Sequence, residues 1–286
     1  MIPILILTAV SALLPGQTRA GQNNDELEPL LRKGTAALRA GKVEEALALA
    51  KQAVAVAPGD SRVYLFRGSV QAVQRRHAEA IADFDKCLQL DPAFADAWQR
   101  RGEEHFKLAE IDQSLNDFDK FLELRPNERP GHWQRGISLY YAGKFKEGAD
   151  QFKAGDKVFA NDVENAVWHY LCNAHVLGSE KARQSLLKIG TDRRVPLMVI
   201  YDLFAGRAKP EDVLAAVREG DPPSRELTTR LFYAHLYLGL YYDATGDTKK
   251  ALEHLEQAAE DQGIGRYMGD VARVHRQLLS KKTSTK

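Results

Sequence analysis

The sequence predicts an all-α solenoid of paired helices, and three regularly spaced sets of residues support this prediction. Four glycines recur at intervals of 34 residues, namely Gly34, Gly68, Gly102 and Gly136. Twelve residues after each glycine lies a small residue, in turn Ala46, Ala80, Ser114 and Gly148. Twelve residues further on come Pro58, Pro92, Pro126 and, in the fourth case, Ala160. A period of 34 residues with helical patterning is typical of stacked helix-turn-helix units.

The four glycines fall inside predicted helices, where each costs about 1 kcal/mol relative to alanine. A close contact between helices is the expected compensation, because glycine has no Cβ and lets a neighbouring helix approach. We therefore interpret each glycine and the small residue that follows it as two sides of one helix contact.

Repeat 1 is expected at residues 27–60, after a flexible polar lead-in at 21–26. Its two helices should be separated by a turn at residues 41–42, which contain a glycine. Repeat 1 is alanine-rich and has Ala50 where the later repeats have an aromatic residue. Such a departure is expected of a terminal repeat, because one of its faces meets solvent.

Repeats 2, 3 and 4 are expected at 61–94, 95–128 and 129–162. Leu-Asp-Pro at 90–92 and Leu-Arg-Pro at 124–126 mark the ends of two second helices. Proline cannot continue a helix, and it also disfavours the helical conformation of the residue before it. Repeat 4 has no such proline at its end.

The motifs of repeats 2 and 3 resemble the tetratricopeptide repeat, which has an aromatic residue at position 4, Gly at 8, Ala at 20, an aromatic at 24 and Pro at 32. The matching residues are Tyr64-Leu-Phe-Arg-Gly68, Ala80, Phe84 and Pro92, and then Trp98-Gln-Arg-Arg-Gly102, Phe118 and Pro126. The resemblance covers residues 27 to about 160. It implies a right-handed superhelix whose concave groove binds a peptide or a partner protein.

The period breaks at residue 163, so the region 163–231 is interpreted as diverged helical repeats. Helices are expected at 163–177, 180–189, 196–206, 210–219 and 224–244. A repeat-like unit at 232–265 follows, with the signature Gly239, Gly246, Ala251, Leu255 and Ala258. Gly239 follows Gly136 by 103 residues, so the interval has room for two diverged units. A capping helix at 266–280 and a disordered tail at 281–286 complete the chain.

The N-terminal segment 1–20 is typical of a secretory signal peptide. Residues 2–14 are largely apolar but too short to span a bilayer, and Thr18-Arg19-Ala20 has the small-x-small pattern of a cleavage site. We therefore expect a periplasmic or secreted protein that begins near Gly21. The alternatives are an apolar run that is kept as an anchor and a misassigned start codon. No cysteine follows the run, so a bacterial lipid anchor has no attachment site.

Three segments make the chain similar to bacterial envelope adaptors of the new-lipoprotein-I type. They are Trp168-His-Tyr-Leu171, Leu203-Phe-Ala-Gly206 and Phe232-Tyr-Ala-His-Leu-Tyr-Leu-Gly239. This looser resemblance implies a periplasmic scaffold that docks other envelope proteins, which in that family are a processing protease and cell-wall hydrolases. No partner is carried over residue by residue.

The charge balance disfavours nucleic acid as a partner. Lys and Arg number 40 against 39 Asp and Glu, which leaves a net charge of +1 without long basic runs. The two cysteines, Cys87 and Cys172, are interpreted as buried small side chains rather than as a disulfide or reactive thiols.

The sequence predicts no catalytic site, cofactor or metal site. His169, Cys172 and His175 share one predicted helix, but their angular spacing would require a strained approach to a common ion. The alternative is an enzyme-associated subunit or hydrolase with a site in 163–231. Its scattered candidate residues are Asp162, Glu164, His169, Asp192 and Asp202. A third possibility is homo-oligomerisation through Tyr233, Tyr237 and Tyr241, which share one helix face; the alternative is that these tyrosines are buried within the array.

The resemblance places the functional surface on the first helix of each repeat, at positions 2, 5, 9, 12 and 13. Candidate groove residues are Arg39, Arg62, Gln99, Glu103, Lys107, Trp133, Ile137, Tyr140 and Tyr141. Repeat domains that grip a chaperone's C-terminal carboxylate use Lys, Asn and Arg at positions 5 and 9, whereas Glu103 would repel a carboxylate. Trp133, Tyr140 and Tyr141 either pack against the diverged helices or anchor a bound peptide.

Overall fold

The structure is a computed structural model that describes residues 15–260 and 267–284, apart from the side chains of 15–24 and 260. These residues form fifteen α-helices and one 3₁₀ helix, without a strand, which confirms the predicted all-α class. Residues 1–14, most of the predicted signal segment, lie outside the described part. No helix in the described part is both long and apolar enough to cross a membrane.

The chain divides into two compact units, Met1–Pro92 and Ala93–Lys286. Unit 1 contains repeats 1 and 2, whose helices are α1 (Pro15–Arg39), α2 (Val43–Val56), α3 (Ser61–Val73) and α4 (His77–Leu90). Helix α1 includes residues 21–26, so the expected flexible lead-in is helical. Extending an existing helix is easier than nucleating one, which explains why this polar segment continues α1.

Unit 2 begins with repeats 3 and 4. Their helices are α5 (Ala95–Lys107), α6 (Ile111–Leu124), α7 (Trp133–Tyr141) and α8 (Phe145–Ala154), with a 3₁₀ helix at Pro126–Gly131 before α7. The diverged region forms α9 (Val163–Leu177), α10 (Ser179–Gln184), α11 (Leu197–Phe204) and α12 (Pro210–Ala216). The last three helices are α13 (Ser224–Thr245), α14 (Thr248–Glu260) and α15 (Tyr267–Ser284).

The glycine ladder forms the predicted close helix contacts. A Cβ built on Gly68 or Gly136 would lie 2.7 Å from Phe84 or 2.6 Å from Phe152, the ring sixteen residues later. Gly102 faces its own aromatic partner in the same way. The small residue contributes through its backbone, since the carbonyl oxygen of Ala80 lies 3.1 Å from the Cβ built on Gly68. Each of these three glycines thus receives an aromatic ring, and Gly68 also meets the backbone of the second helix.

Repeat 1 fills the same space with a residue of the next repeat. Ala50 occupies the aromatic position, and the ring of Phe66 on α3 instead lies 2.5 Å from a Cβ built on Gly34. The contact is therefore kept although repeat 1 lacks its own aromatic side chain.

A ladder of arginine contacts accompanies the glycines. Arg67 binds Asp83 with two hydrogen bonds of 2.8 and 2.6 Å, and Arg101 binds Asp117 in the same way at 2.8 and 2.7 Å. The aspartates are 5% and 1% exposed. Each pair therefore joins the two helices of one repeat through a planar two-point contact.

The diverged region contains two pairs of consecutive helices that contact each other. Helix α9 packs with α10, and α11 packs with α12. Helix α10 is shorter than the expected helix at 180–189. The repeat signature returns in α13 and α14, where a Cβ built on Gly239 would lie 2.7 Å from Leu255.

Helix α15 does more than cap the end of the array. It packs on α14 and also reaches α5, the first helix of repeat 3. Its Tyr267 stacks on Phe106 and meets Trp133 edge-on, with ring centroids 5.0 Å apart in both cases. The helix continues to Ser284, so most of the expected disordered tail is helical. Lys281 and Lys282 lie in its last turn, where cations favour a helix.

Candidate ligand-binding site

Two of the predicted groove residues, Arg39 and Arg62, lie in unit 1. Arg39 is exposed at the end of α1. Arg62 pairs with both Asp60 and Glu28 at 2.7 Å. Asp60 also accepts the backbone N–H of Arg62, so it caps the start of α3.

The polar groove residues of repeats 3 and 4 form a hydrogen-bonded network between α5 and α7. Glu103 accepts from Gln99 at 2.9 Å and from Gln134 at 3.0 Å. His132 hydrogen-bonds Gln99 at 2.7 Å. Burial raises the pKa of Glu103. The last of these groove residues, Lys107, pairs with Glu104 at 2.5 Å.

The aromatic groove residues lie largely in the core. Ile137 and Tyr140 are 1% and 6% exposed, and Trp133 and Tyr141 are half-buried. Because α15 lies against α5 and α7, these residues border two separate cavities, one near each end of α15. Trp133 and Ile137 line the first cavity, whereas Tyr140 and Tyr141 line the second.

The first cavity, which we call the Trp133–Trp168 cavity, is open and has a volume of about 190 Å³. It lies where repeat 4 meets α9 and the start of α15. Its wall comprises Trp133, Ile137, Phe152, Phe159, Asp162, Glu164, Asn165, Trp168 and Met268. The cavity is thus rich in aromatic side chains and carries two carboxylates.

The carboxylates of this wall are organised by Arg194. Its guanidinium lies 2.5 Å from Glu164, 3.1 Å from Asp162 and 2.6 Å from Asp192. Asp162 also caps α9, because it accepts the backbone N–H of Glu164 at 2.8 Å. Tyr237 donates to the other oxygen of Glu164 at 2.7 Å.

Burial and Arg194 have opposite effects on the pKa values of Glu164 and Asp192. Burial raises the pKa of Glu164, and Arg194 only partly offsets this effect. Burial is also the largest single influence on the pKa of Asp192, and by itself it would raise that pKa. The hydrogen bonds from Arg194 and from the backbone together outweigh it, so the pKa of Asp192 lies below its ordinary value.

Two polar atoms of the wall have no hydrogen-bond partner among the described residues. They are Asn165 Oδ1 and Trp168 Nε1, on side chains that are 6% and 1% exposed. The orientation of the Asn165 amide follows from its Nδ2, which donates to the carbonyl oxygen of Phe152 at 3.1 Å. Buried polar atoms are nearly always hydrogen-bonded, so these two atoms leave hydrogen-bonding capacity unused in residues that line the cavity.

The second cavity has a volume of about 470 Å³ and lies beside the later part of α15. The Tyr141 hydroxyl lies 3.0 Å from His275 Nδ1, and His275 Nε2 lies 3.1 Å from Asp243. Burial acts to raise the pKa of Asp243, but contact with His275 outweighs it and the net shift is downwards. These contacts tie α15 to α7 and α13.

The remaining sequence candidates have separate surroundings. His169 hydrogen-bonds Asn173, His175 stacks on Phe145 with centroids 4.0 Å apart, and Cys172 packs against Gly148. Asp202 pairs with Arg207 instead of joining the acids at Arg194.

The tyrosines proposed for self-association do not form an exposed face. Tyr233 and Tyr237 are 6% and 0% exposed, so this hypothesis is wrong for them. The buried residues of their helix α13 lie within 232–240, in agreement with the alternative of burial within the array.

Sequence reasoning predicted Trp133 and Ile137 as groove residues and named Asp162 and Glu164 only as candidates for a hydrolase site, so it did not bring the walls of the cavity together. Trp168 follows Trp133 by 35 residues, close to one repeat period, and this spacing was a usable signal. Arg194 has no such signal, because it reaches Glu164 from a loop beyond α10.

Comparison with known proteins agrees with this architecture. Residues 31–93 and 95–128 match family models of the tetratricopeptide repeat. A tetratricopeptide repeat protein from Parabacteroides merdae is similar over 90% of this chain and 99% of its own, with a TM-score of 0.57 and 15% identity.

Two further solved structures share the fold. A MamA segment from Desulfovibrio magneticus is similar over 56% of this chain and 90% of its own, with a TM-score of 0.52 and 18% identity. PilF of Pseudomonas aeruginosa is similar over 89% of this chain and 99% of its own, with a TM-score of 0.50 and 13% identity. Repeat arrays of this kind are scaffolds for protein–protein interaction, because stacked units present extended binding surfaces. The repeat ladder, the helix pairs and the matching family models together identify residues 31–93 and 95–128 as tetratricopeptide repeats.

Proposed function

We propose that this protein is a non-catalytic interaction scaffold of the bacterial cell envelope, and that unit 2 binds a segment of a partner protein at the Trp133–Trp168 cavity. One observation carries the proposal. An open aromatic cavity lies at the predicted groove, and two of the residues that line it carry buried polar atoms without hydrogen-bond partners among the described residues.

The size of the cavity favours a side chain over a free metabolite. Small-molecule sites usually measure about 300–1,000 Å³, whereas this cavity has about 190 Å³. A single side chain of an extended segment is an occupant of suitable size. The aromatic wall suits such an anchor, because binding energy at protein interfaces concentrates in well-packed pockets.

Photo-cross-linking from inside the cavity tests the proposal. p-Benzoylphenylalanine replaces Phe159, which lines the cavity, in the full chain expressed in its native cells. The matched control carries the same group at Leu124, a 41% exposed residue of α6. We expect a discrete protein adduct from position 159 alone. Adducts from neither position, or the same adducts from both, contradict the proposal.

The envelope location rests on residues 1–20 and on the resemblance to envelope adaptors. The apolar run at 2–14 and the motif Thr18-Arg19-Ala20 support a cleaved signal. N-terminal sequencing of the protein from fractionated cells tests this part. A periplasmic or secreted chain that begins near Gly21 is expected, whereas a cytosolic chain that retains residues 1–20 contradicts it.

The acids that suggested a hydrolase have structural partners. Glu164 is held by Arg194 and Tyr237, and Asp192 accepts from Arg194 and from the backbone N–H of Val163. These contacts stabilise the start of α9 and the loop that carries Arg194. The geometry therefore favours binding over acid–base catalysis.

A further inference from the structure

Carboxylates outnumber cations at the Trp133–Trp168 cavity. Asp162 and Glu164 line it directly, and Asp192 lies behind them. All three contact the single guanidinium of Arg194. When the three acids are ionised, the cluster carries an excess of two negative charges.

One of the lining carboxylates has free hydrogen-bonding capacity. Asp162 uses Oδ1 both for the α9 cap and for Arg194, and its side chain is 33% exposed. Its Oδ2 has no hydrogen bond to the described residues. Because burial raises the pKa of Glu164, a second positive charge at the cavity would also stabilise the ionised form of that acid.

The aromatic residues favour the same kind of ligand. Trp133, Phe152, Phe159 and Trp168 all line the cavity. A cationic group near an aromatic face gains electrostatic attraction, and tryptophan is the most favourable partner. An aromatic wall beside carboxylates therefore selects a cation with an apolar stem over an anion or a purely apolar group.

The two unpartnered atoms indicate complementary groups on the ligand. Asn165 Oδ1 accepts a hydrogen bond, which an ammonium or guanidinium group donates. Trp168 Nε1 donates a hydrogen bond, which a backbone carbonyl accepts. A basic residue within a peptide carries both kinds of group.

We propose that the Trp133–Trp168 cavity receives a lysine or arginine side chain of the partner, with its cationic head at Asp162 and Glu164 and a neighbouring peptide carbonyl at Trp168. This inference rests on the proposed function, because the basic residue belongs to the segment that unit 2 binds.

NMR titration of the full chain with small probes tests the inference. The probes are the N-acetyl methylamides of lysine, arginine and norleucine; norleucine has an apolar side chain of similar length without charge. The chain has three tryptophans, and Trp98 on α5 is an internal reference that does not line the cavity. We expect the lysine and arginine probes to shift the indole N–H signals of Trp133 and Trp168 and to bind about tenfold tighter than norleucine.

A matched pair of charge-removing variants provides the control. Asp162→Asn keeps a good cap for α9 but removes one charge at the cavity. Asp202→Asn removes the same charge at the Arg207 pair. We expect about tenfold weaker lysine binding in Asp162→Asn, with unchanged norleucine binding and no effect of Asp202→Asn. Trp168→Phe should weaken all three probes, because each of them carries a carbonyl.

The outcomes separate this inference from the proposed function. Equal binding of lysine and norleucine, no binding of any probe, or no effect of Asp162→Asn overturns the cation site. A Phe159 cross-link alongside such a result leaves the scaffold proposal standing. If no cross-link forms, the proposed function fails whether or not the small probes bind.

Discussion

Tyr267 stacks on Phe106 with ring centroids 5.0 Å apart and an angle of 18° between the rings. The two residues are far apart in sequence, and their contact joins the start of α15 to the first helix of repeat 3. The last helix of unit 2, α15, therefore contacts its first helix, α5.

We expect Tyr267→Ala to lower the free energy of unfolding by about 3 kcal/mol, because it removes ring contacts with both Phe106 and Trp133. Tyr267→Phe keeps the ring and should change stability by less than about 1 kcal/mol. Urea denaturation monitored by circular dichroism measures both. Equal effects of the two variants would show that the ring contacts do not stabilise unit 2.

Gly136→Ala should be destabilising despite the higher helix propensity of alanine. The new Cβ would lie 2.6 Å from the Phe152 ring, and overpacking of this kind typically costs about 1–3 kcal/mol. The control is Gly131→Ala, where no atom lies within 4 Å of a built Cβ. Thermal unfolding checks the difference. In a Phe152→Ala background the same Gly136→Ala change should cost less, because the ring that the new Cβ would meet is absent.

The Arg101–Asp117 pair should show strong coupling. Asp117 is 1% exposed, so Arg101→Leu leaves a buried carboxylate without its partner, at a cost of about 3–5 kcal/mol. Arg101→Leu/Asp117→Leu should cost less than that single variant. A double-mutant cycle on Lys146 and Asp150, whose side chains are 80% and 68% exposed, should give a coupling near zero. Additive effects at Arg101 and Asp117 would contradict the expectation.

His132 should make the protein less stable in acid. Burial lowers its pKa from 6.5 to about 4. Its Nδ1 accepts the backbone N–H of Arg135, so Nε2 carries the proton and donates to Gln99. Between pH 6.5 and 4 the unfolded chain binds more protons than the folded chain, so stability falls as pH falls, by up to about 3 kcal/mol for this group.

The variant that tests this acid dependence is His132→Asn, which keeps a good cap for α7 and does not titrate. Urea denaturation at a series of pH values should show a shallower loss of stability in the variant than in the wild type. Parallel curves would mean that His132 does not cause the acid sensitivity.

The helix pairs and their spacing were predictable from the sequence because they depend on local signals. Helix α9 matches the expected bounds of 163–177, since Asp162 supplies a cap and Gly178 a positive φ of 83° at its end. By contrast, Phe66 fills the space above Gly34 from the following repeat. A search within each repeat misses that contact, because the ring comes from the following repeat.

Only some of the residues that form the Trp133–Trp168 cavity could be predicted from the sequence, because the others reach it through contacts between distant parts of the chain. Trp133 and Ile137 follow from repeat positions 5 and 9. Arg194 and Met268 reach the same place from a distant loop and from α15, and neither has a periodic signal. Burial of Tyr140 likewise depends on α9, whose Trp168 meets its ring edge-on at 5.4 Å.

The contact of α15 with α5 has a consequence for the length of the array. An open solenoid gains or loses units at little cost, because each unit contacts only its neighbours. In unit 2 the number of helix pairs between Phe106 and Tyr267 determines whether the two rings meet. Insertion or deletion of one 34-residue unit would separate them, so this contact links the stability of unit 2 to the number of its helix pairs.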